Sequence, residues 1–588
     1  MLFSLFSGYL QRLESISSRL EMTAVLAELF QELKPDEVAE TCYLLQGQLL
    51  PTYESLEFQV SVKTVMKALA RIAPSHADAT LFGDQNFSEQ EKEIEQKYKK
   101  LGDLGIVAEH VVPHSGRETI SLKEVYAALL LIAQDSGAQS QQRKLDAFVD
   151  LLHTVDPISA KFIIRIILGR LRLGFSDMTM MDGMSWAMTG TKNEHDILEQ
   201  AYQKKADIGK LAEVYLFQKD PQHRAAALLQ THVEVGVPVV PELCQRLNSA
   251  AEMIEKMHDV IAEPKYDGLR VQIHVWRDVE KGLQYRTFTR NLEETSHMFP
   301  ELADALPTLH CDSCILDAEA IGYEVESGEL LPFQVTIQRK RKHEVTEKAK
   351  EVPIRFYVFD ILYLNGEDCI QVPLNERKEK LYRVFEDNVI LYHSPELRTS
   401  DPIALHEYHE KNLAEGLEGV VVKQLSSPYQ SGRKGWSWVK MKEAEGSTGK
   451  LADTVDAVVM GYYVGRGKRT EFGIGAILVG VLENDMIVTL AKIGTGLTDE
   501  VLRQTKQRCD ALLSKEKPSQ YTVNKMLHPD VWCLPGFVVE VAADELTQSP
   551  LHSAGLALRF PRLVKFRDDK KWSDATTKEE LERSIAKN

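Results

Sequence analysis

Apolar residues recur at three- and four-residue steps through the first 225 positions. Leu10, Leu13, Ile16 and Leu20, then Leu26, Leu29, Phe30 and Leu33, draw stripes of the kind that an amphipathic helix buries. Pro35-Asp36 and Ser136-Gly137 punctuate these runs as turns. Met1 to Phe6 lacks the basic approach and small-residue cleavage site of a signal peptide, and reads as the first turns of such a helix. Lys161 to Gly174 sets Arg165, Arg170 and Arg172 among strongly apolar positions. Either these arginines snorkel to water from a core helix or they deliver charge to a phosphate backbone, and the segment alone supports both.

From about residue 226 the texture changes. Val271 to Val275 alternates with period two, as do Phe356 to Val358, and Val420 to Val422 forms a short apolar run. Helical stretches at Pro300 to Leu309 and Asn375 to Glu386 intervene, which predicts an α+β layer. From about residue 446, short strand-like runs dominate: Ala457 to Met460, Ala476 to Leu482, Ile487 to Lys492 and Phe537 to Val541. Glycines separate several of them, as in a small barrel, and a charged helix comes after Ser573.

A chain of 588 residues is too long for one core and predicts two to four domains. The formal charge of −17 argues against coating nucleic acid with bulk positive charge, but leaves room for local basic surfaces such as 338–342 and 559–571. Each of those runs, taken alone, is more often a solvated face. Seven scattered cysteines, an odd number, favour a reducing compartment. Cys311-Asp312-Ser313-Cys314 has no second pair at zinc spacing and reads as incidental. No apolar run reaches the ~20 residues that span a bilayer. The expected location is therefore the cytoplasm, or the nucleus if the source has one.

Lys265-Tyr266-Asp267-Gly268 precedes an alternating strand. A K-x-D-G string arises by chance in roughly one chain in seven of this length, so its weight comes from the ordered motifs downstream of it. Glu263 to Arg270 resembles the first motif of covalent nucleotidyltransferases. Phe288-Thr289-Arg290-Asn291 resembles the second, Leu316-Asp317-Ala318-Glu319 the acidic third, and Phe356 to Asp360 the next. Glu418 to Lys423 and Trp438 to Lys442 are similar to the fourth and fifth. Arg559-Phe560-Pro561-Arg562, running on to Lys570, resembles the closing motif of ATP-dependent DNA ligases. Gly102 to Gly105 and Leu168 to Gly174 are similar to the DNA-binding domain of the archaeal and eukaryotic replicative type, which turns the arginine segment towards DNA contact.

The resemblance implies a multidomain fold: an all-α DNA-binding domain (1–225), an α+β nucleotidyltransferase or adenylation core (226–445) and a β-barrel OB-fold domain (446–588). It implies nick sealing in replication, recombination or repair, with ATP as co-substrate, Mg²⁺ as metal and nicked duplex DNA as partner. The catalytic residue would be Lys265, a lysine that must attack as the neutral amine. Glu263 would read the adenine edge, Phe359 would stack on the ring, and Arg270 and Arg290 would hold ribose and phosphate. Glu319 and Glu418 would be the metal carboxylates, with Glu319 also beside the nucleotide. Lys440, with Lys434 or Arg433, would reach the phosphates, and Lys423 and Lys442 would stand behind them. The family commonly has arginine where Lys434 stands. Arg559, Arg562, Arg567 and Lys570 would assist pyrophosphate departure, which requires the last domain to close over the core. The implied enzyme is a monomer. The family admits a sliding clamp as partner, although no glutamine-and-paired-aromatic clamp peptide is visible. An RNA ligase, a capping-type nucleotidyltransferase and a non-catalytic DNA-binding scaffold remain alternatives at this level.

Overall fold

The computed structural model describes residues 1–586 apart from 17, 74–82, 114–118, 172, 248, 341–350, 433–434, 443–453, 466–468, 470–471, 496 and 544. The chain forms two compact units, Met1–Ile94 with Ala108–Glu443 and Glu95–Val107 with Ala444–Asn588. Among the described residues no helix is long and apolar enough to cross a membrane.

The first unit opens with helices, from Phe3–Ser15 to Pro221–Leu229. Leu10 and Leu13 are buried as the apolar steps require, but the step does not continue through Ile16 to Leu20. Ile16 is extended, and Ser18 starts a new helix by accepting the Glu21 amide, which leaves Leu20 57% exposed. Pro157–Ile167 starts on Asp156, whose carboxylate accepts from the amides of Ile158 and Ser159, with Pro157 at the first helical position. Its basic residues turn inward. Arg165 pairs with Glu14 at 2.8 Å, and Lys161 lies 2.8 Å from Glu14 and 3.3 Å from Glu109. Arg165 therefore does not snorkel to water but turns onto Glu14, whose carboxylate stays partly exposed. Arg170 is half-buried, and Arg172 lies outside the described residues.

The longer strands in the rest of this unit are β1 (Val260–Pro264), β2 (Leu269–Asp278), β3 (Gly282–Thr289), β4 (Ser313–Gly322), β5 (Ile354–Leu364), β6 (Gly419–Gln424) and β7 (Trp438–Lys442). One sheet pairs β1 with β6 and β6 with β7, both antiparallel, in a register that sets Glu263 opposite Val421 and Val421 opposite Lys440. The other runs β3-β2-β4-β5, and sets Arg270 opposite Glu319 and Glu319 opposite Tyr357. Val271, Ile273 and Val275 point to one side of β2, where they pack with Leu316, Ala318 and Phe356. The alternation that made this strand legible therefore leaves Arg270, Gln272 and His274 for the opposite face.

In the second unit, β8 (Val455–Tyr463), β9 (Ala476–Glu483) and β10 (Met486–Ile493) form an antiparallel meander. Helix Asp499–Ala511 comes next, before β11 (Val538–Ala542) and β12 (Arg562–Phe566). β11 pairs with both β8 and β12, and a bridge from Thr495 to Arg562 brings β12 back beside the end of β10. Val459, Val479, Leu490, Val539 and Leu563 fill the interior.

Behind β5, Asp360 and Arg377 form an ion pair from which water is excluded entirely. The fork is bidentate, at 2.8 and 2.9 Å, and Arg377 also donates to the Val372 and Ser427 carbonyls at 2.6 and 3.2 Å. Removing one partner would strand the other charge in the core. Arg377→Met is expected to destabilise this unit by about 3–5 kcal/mol. A lower denaturant midpoint in circular dichroism reads that loss, and an unchanged midpoint contradicts it.

Candidate active site

Between the two sheets of the first unit lies a cleft of about 660 Å³. Its walls include Glu263, Lys265, Arg290, Glu319, Phe359 and Lys440, so residues spread over 178 positions of sequence meet in one place. Arg270 and Lys423 line it too. Lys434 and Arg433 lie outside the described residues, as does the side chain of Lys442.

Lys265 leaves the end of β1 and is fixed at both backbone groups. Its amide donates to the Gly419 carbonyl at 2.9 Å, and its carbonyl accepts from the Glu418 amide at 3.1 Å. This exchange brings the two side chains to the same edge, and Lys265 Nζ stands 2.6 Å from Glu418 Oε2. Tyr266 stacks on Tyr357 with ring centroids 4.5 Å apart, which closes the turn against β5. Gly268 lets the turn approach β4: a Cβ there would come within 2.7 Å of the Ala320 carbonyl oxygen and 2.8 Å of Glu319 Cγ. The Lys-x-Asp-Gly string thus needs its glycine for close approach.

Arg270 is held firmly as a cation. It forks onto Asp317 at 3.0 and 2.7 Å, donates to the Glu242 carbonyl at 2.6 Å and to Tyr429 Oη at 3.1 Å. Tyr429 in turn donates to Asp317 at 2.9 Å. Burial opposes the guanidinium's charge, and the Asp317 carboxylate overrides that by holding its pKa well above the ordinary value. The guanidinium carbon also sits 5.4 Å from the ring centroids of both Phe359 and Trp438. Phe359 meets Trp438 edge to face.

Glu319 is half-buried and, among the described residues, has no such fork. Desolvation pushes its pKa up to about 7, a rise that Lys265 and Arg270 restrain and that Asp317 and Glu418 reinforce. Glu263 differs again, since Lys378 and Lys423 hold its two oxygens. The sequence assigned no role to Lys378, Asp317 or Tyr429. Asp317 stands two residues before Glu319 on the same face of β4, which was the one available signal.

In the second unit, Arg567 pairs with Asp456 at 2.8 Å and with Asp569 at 2.7 Å, and Lys570 donates to Asp456 at 2.6 Å. Arg562 is exposed on β12, and Arg559 is half-buried at the end of the preceding strand. In the first unit, Cys311 and Cys314 both belong to the apolar core behind β2 and β4.

Three family profiles match the chain in order: "DNA ligase N terminus" over residues 2–185, "ATP dependent DNA ligase domain" over 241–442 and "ATP dependent DNA ligase C terminal region" over 470–570. The chain is 37% identical to a "Probable DNA ligase" of Dictyoglomus turgidum, with 99% of this chain and 97% of that protein covered. It is 36% identical to "DNA ligase 2" of Thermofilum pendens, over 98% and 96% of the two lengths. Its backbone is similar to the solved structure Pmar-Lig_Pre (TM-score 0.54, 16% identity), covering 96% of this chain and 99% of that one. The cleft is built from the residues of the ordered motifs, and relatives named DNA ligase match over almost the whole length: the chain belongs to the ATP-dependent DNA ligase family.

Proposed function

We propose that this ligase seals nicks in duplex DNA by three transfers that begin on Lys265, and the observation that carries the reading is the Lys265–Glu418 pair at the edge of the nucleotide cleft. In the first transfer the Lys265 amine attacks the α-phosphorus of ATP. A P–N bond forms as the P–O bond to pyrophosphate breaks, and the attacking nitrogen, already a neutral amine, loses one proton to solvent, while Glu418, 2.6 Å away, orients it. A 5′-phosphate oxygen at the nick then attacks the lysyl-AMP phosphorus and frees the amine. Attack by the 3′-hydroxyl on the activated 5′-phosphate forms the phosphodiester, expels AMP and releases the hydroxyl proton.

Alignment and fixed charge do most of the work in such transfers. Glu263 accepts from the adenine 6-amino group, Phe359 stacks on the ring, and Arg290 and Lys440, joined by Lys434 or Arg433, neutralise phosphate. Arg270, locked onto Asp317, acts as an immobile positive wall on the ribose side. Glu319 and Glu418 are hard oxygen donors close enough to influence one another electrostatically, a donor set that fits Mg²⁺. When bound there, Mg²⁺ would offset negative charge on the phosphates.

We assign the second unit's strands as an OB-fold, supported by the five-strand path that returns through Thr495 and Arg562 and by the helix between β10 and β11. The division into DNA-binding (1–225), adenylation (226–445) and OB-fold (446–588) domains is supported by the three consecutive family matches. Nothing in those matches favours the capping, RNA-ligase or scaffold alternatives.

On a fluorescent nicked duplex with Mg²⁺, ATP is expected to give sealed product and NAD none; tight binding of the nick without sealing overturns the proposal. The Glu319 pKa sets a second expectation. A carboxyl raised to about 7 is protonated below that pH and must lose its proton to hold a cation. Formation of the protein–AMP adduct should therefore fall as pH drops through about 7, and higher Mg²⁺ should move the inflection to lower pH. An inflection that ignores Mg²⁺ contradicts the assignment of Glu319 as a metal ligand.

A further inference from the structure

Glu263 is 2% exposed, and its carboxylate is gripped from two directions. Lys378 Nζ donates to Oε1, and Lys423 Nζ lies 2.5 Å from Oε2. Both lysines are as buried as Glu263 itself. Lys423 comes from β6 and lines the cleft, with its ammonium 4.3 Å from the Phe359 ring centroid and 4.1 Å from that of Trp438. Lys378 is different. It comes from helix Leu374–Leu381, is not among the cleft-lining residues, and is anchored on its far side by Glu396 at 3.1 Å. Its one hydrogen bond to a cleft-lining side chain, among the described residues, goes to Glu263, and its charge also bears on Lys423.

The six-membered edges of the purines differ in sign where such a carboxylate would meet them. Adenine offers the 6-amino donor, whereas guanine places an acceptor oxygen at that position. Guanine's own donors, N1–H and the 2-amino group, lie further along the edge. An ionised carboxylate only accepts, and each oxygen keeps a lone-pair direction beyond the one its lysine uses. Held in place, it suits a donor at position 6 and meets the guanine oxygen acceptor to acceptor, which in a dry site leaves both groups unsatisfied. Released, it could swing to the N1–H and 2-amino donors and accommodate guanine.

We propose that Lys378 is a positioning residue for base selection: by pinning the Glu263 carboxylate from behind, it makes the cleft take ATP and refuse GTP. The inference rests on the adenine-facing role proposed for Glu263 above. It requires no contact between Lys378 and the nucleotide, and it gives a purpose to a buried lysine outside every motif.

The test is covalent labelling of the full chain with radiolabelled ATP or GTP, read as the ratio of the two adduct-forming rates, with a melting curve for each variant. Lys378→Met is expected to lower the ATP-to-GTP ratio at least about tenfold, and Lys378→Arg to restore most of it. Lys378→Gln, which can still hydrogen-bond to Glu263 and Glu396, serves if the Met variant fails to fold, and its ratio should also fall. Equal slowing with both nucleotides, at an unchanged ratio, would mean a merely structural role and overturns the proposal. Glu263→Gln separates the pin from the base contact. If it lowers the ratio while the Lys378 variants do not, the pin is refuted and the adenine-facing role survives. If it leaves the ratio unchanged, that role fails and the pin fails with it. In the Glu263→Gln background, Lys378→Met should change the ratio no further, and an additional fall overturns the route through Glu263.

Discussion

A charge taken out of water must be answered by another charge or by several hydrogen bonds, because an unpaired buried ion costs several kcal/mol. The adenylation core is organised around that constraint. Arg270 answers Asp317 between β2 and β4, Arg377 answers Asp360 behind β5, and two lysines answer Glu263 at the end of β1. These pairs tie separate chain segments together, and those of Arg270 and Glu263 remove rotational freedom from side chains in the wall of the cleft. Net stabilisation from such pairs is small after desolvation, so geometry is their main product. The result is a cleft whose donors and acceptors are set before any nucleotide arrives, which is what stabilising a charged transition state requires.

Among the cleft groups outside the locked set are Glu319 and Lys265, the two that the proposed chemistry needs to change. Among the described residues Glu319 has no fork, and desolvation raises its pKa to about 7. Lys265 pairs with the Glu418 carboxylate from a backbone that is fixed on both sides. The paired backbone hydrogen bonds to Glu418 and Gly419, together with the close approach at Gly268, fix the root of Lys265, while its tip rests on the Glu418 carboxylate in the proposed nucleophile's position.

Much of this was legible in the amino-acid sequence, and the limits have physical causes. The strands around Val271–Val275 and Ala476–Leu482 announced themselves because one face of each meets a core. The residues that meet in the cleft were legible through the order of their motifs, since no single one of them is rare. Periodicity misled at Ile16 and Leu20, where a serine hydroxyl begins a second helix within the apolar step. It was silent on Arg377 and Lys378. The helix Leu374–Leu381 reads Leu-Asn-Glu-Arg-Lys-Glu-Lys-Leu, a surface helix by composition, yet its two adjacent basic residues are among the most buried in the protein. Their acids stand 17 and 115 positions away, so nothing local distinguishes them from solvated lysines and arginines. Arg165 escaped for the same reason, its carboxylate lying 151 positions earlier. Arg270 was singled out as a nucleotide contact, and the fork onto Asp317 that defines its environment appeared only with the register of β2 on β4.

The proposed mechanism begins on Lys265, and that role can be measured directly. The full chain, incubated with ATP and Mg²⁺ and digested, should carry one AMP on the peptide containing Lys265 and none elsewhere. Lys265→Ala, still folded, should carry none at all. An adduct mapped to another lysine, or one that persists in the Lys265→Ala chain, would contradict the account.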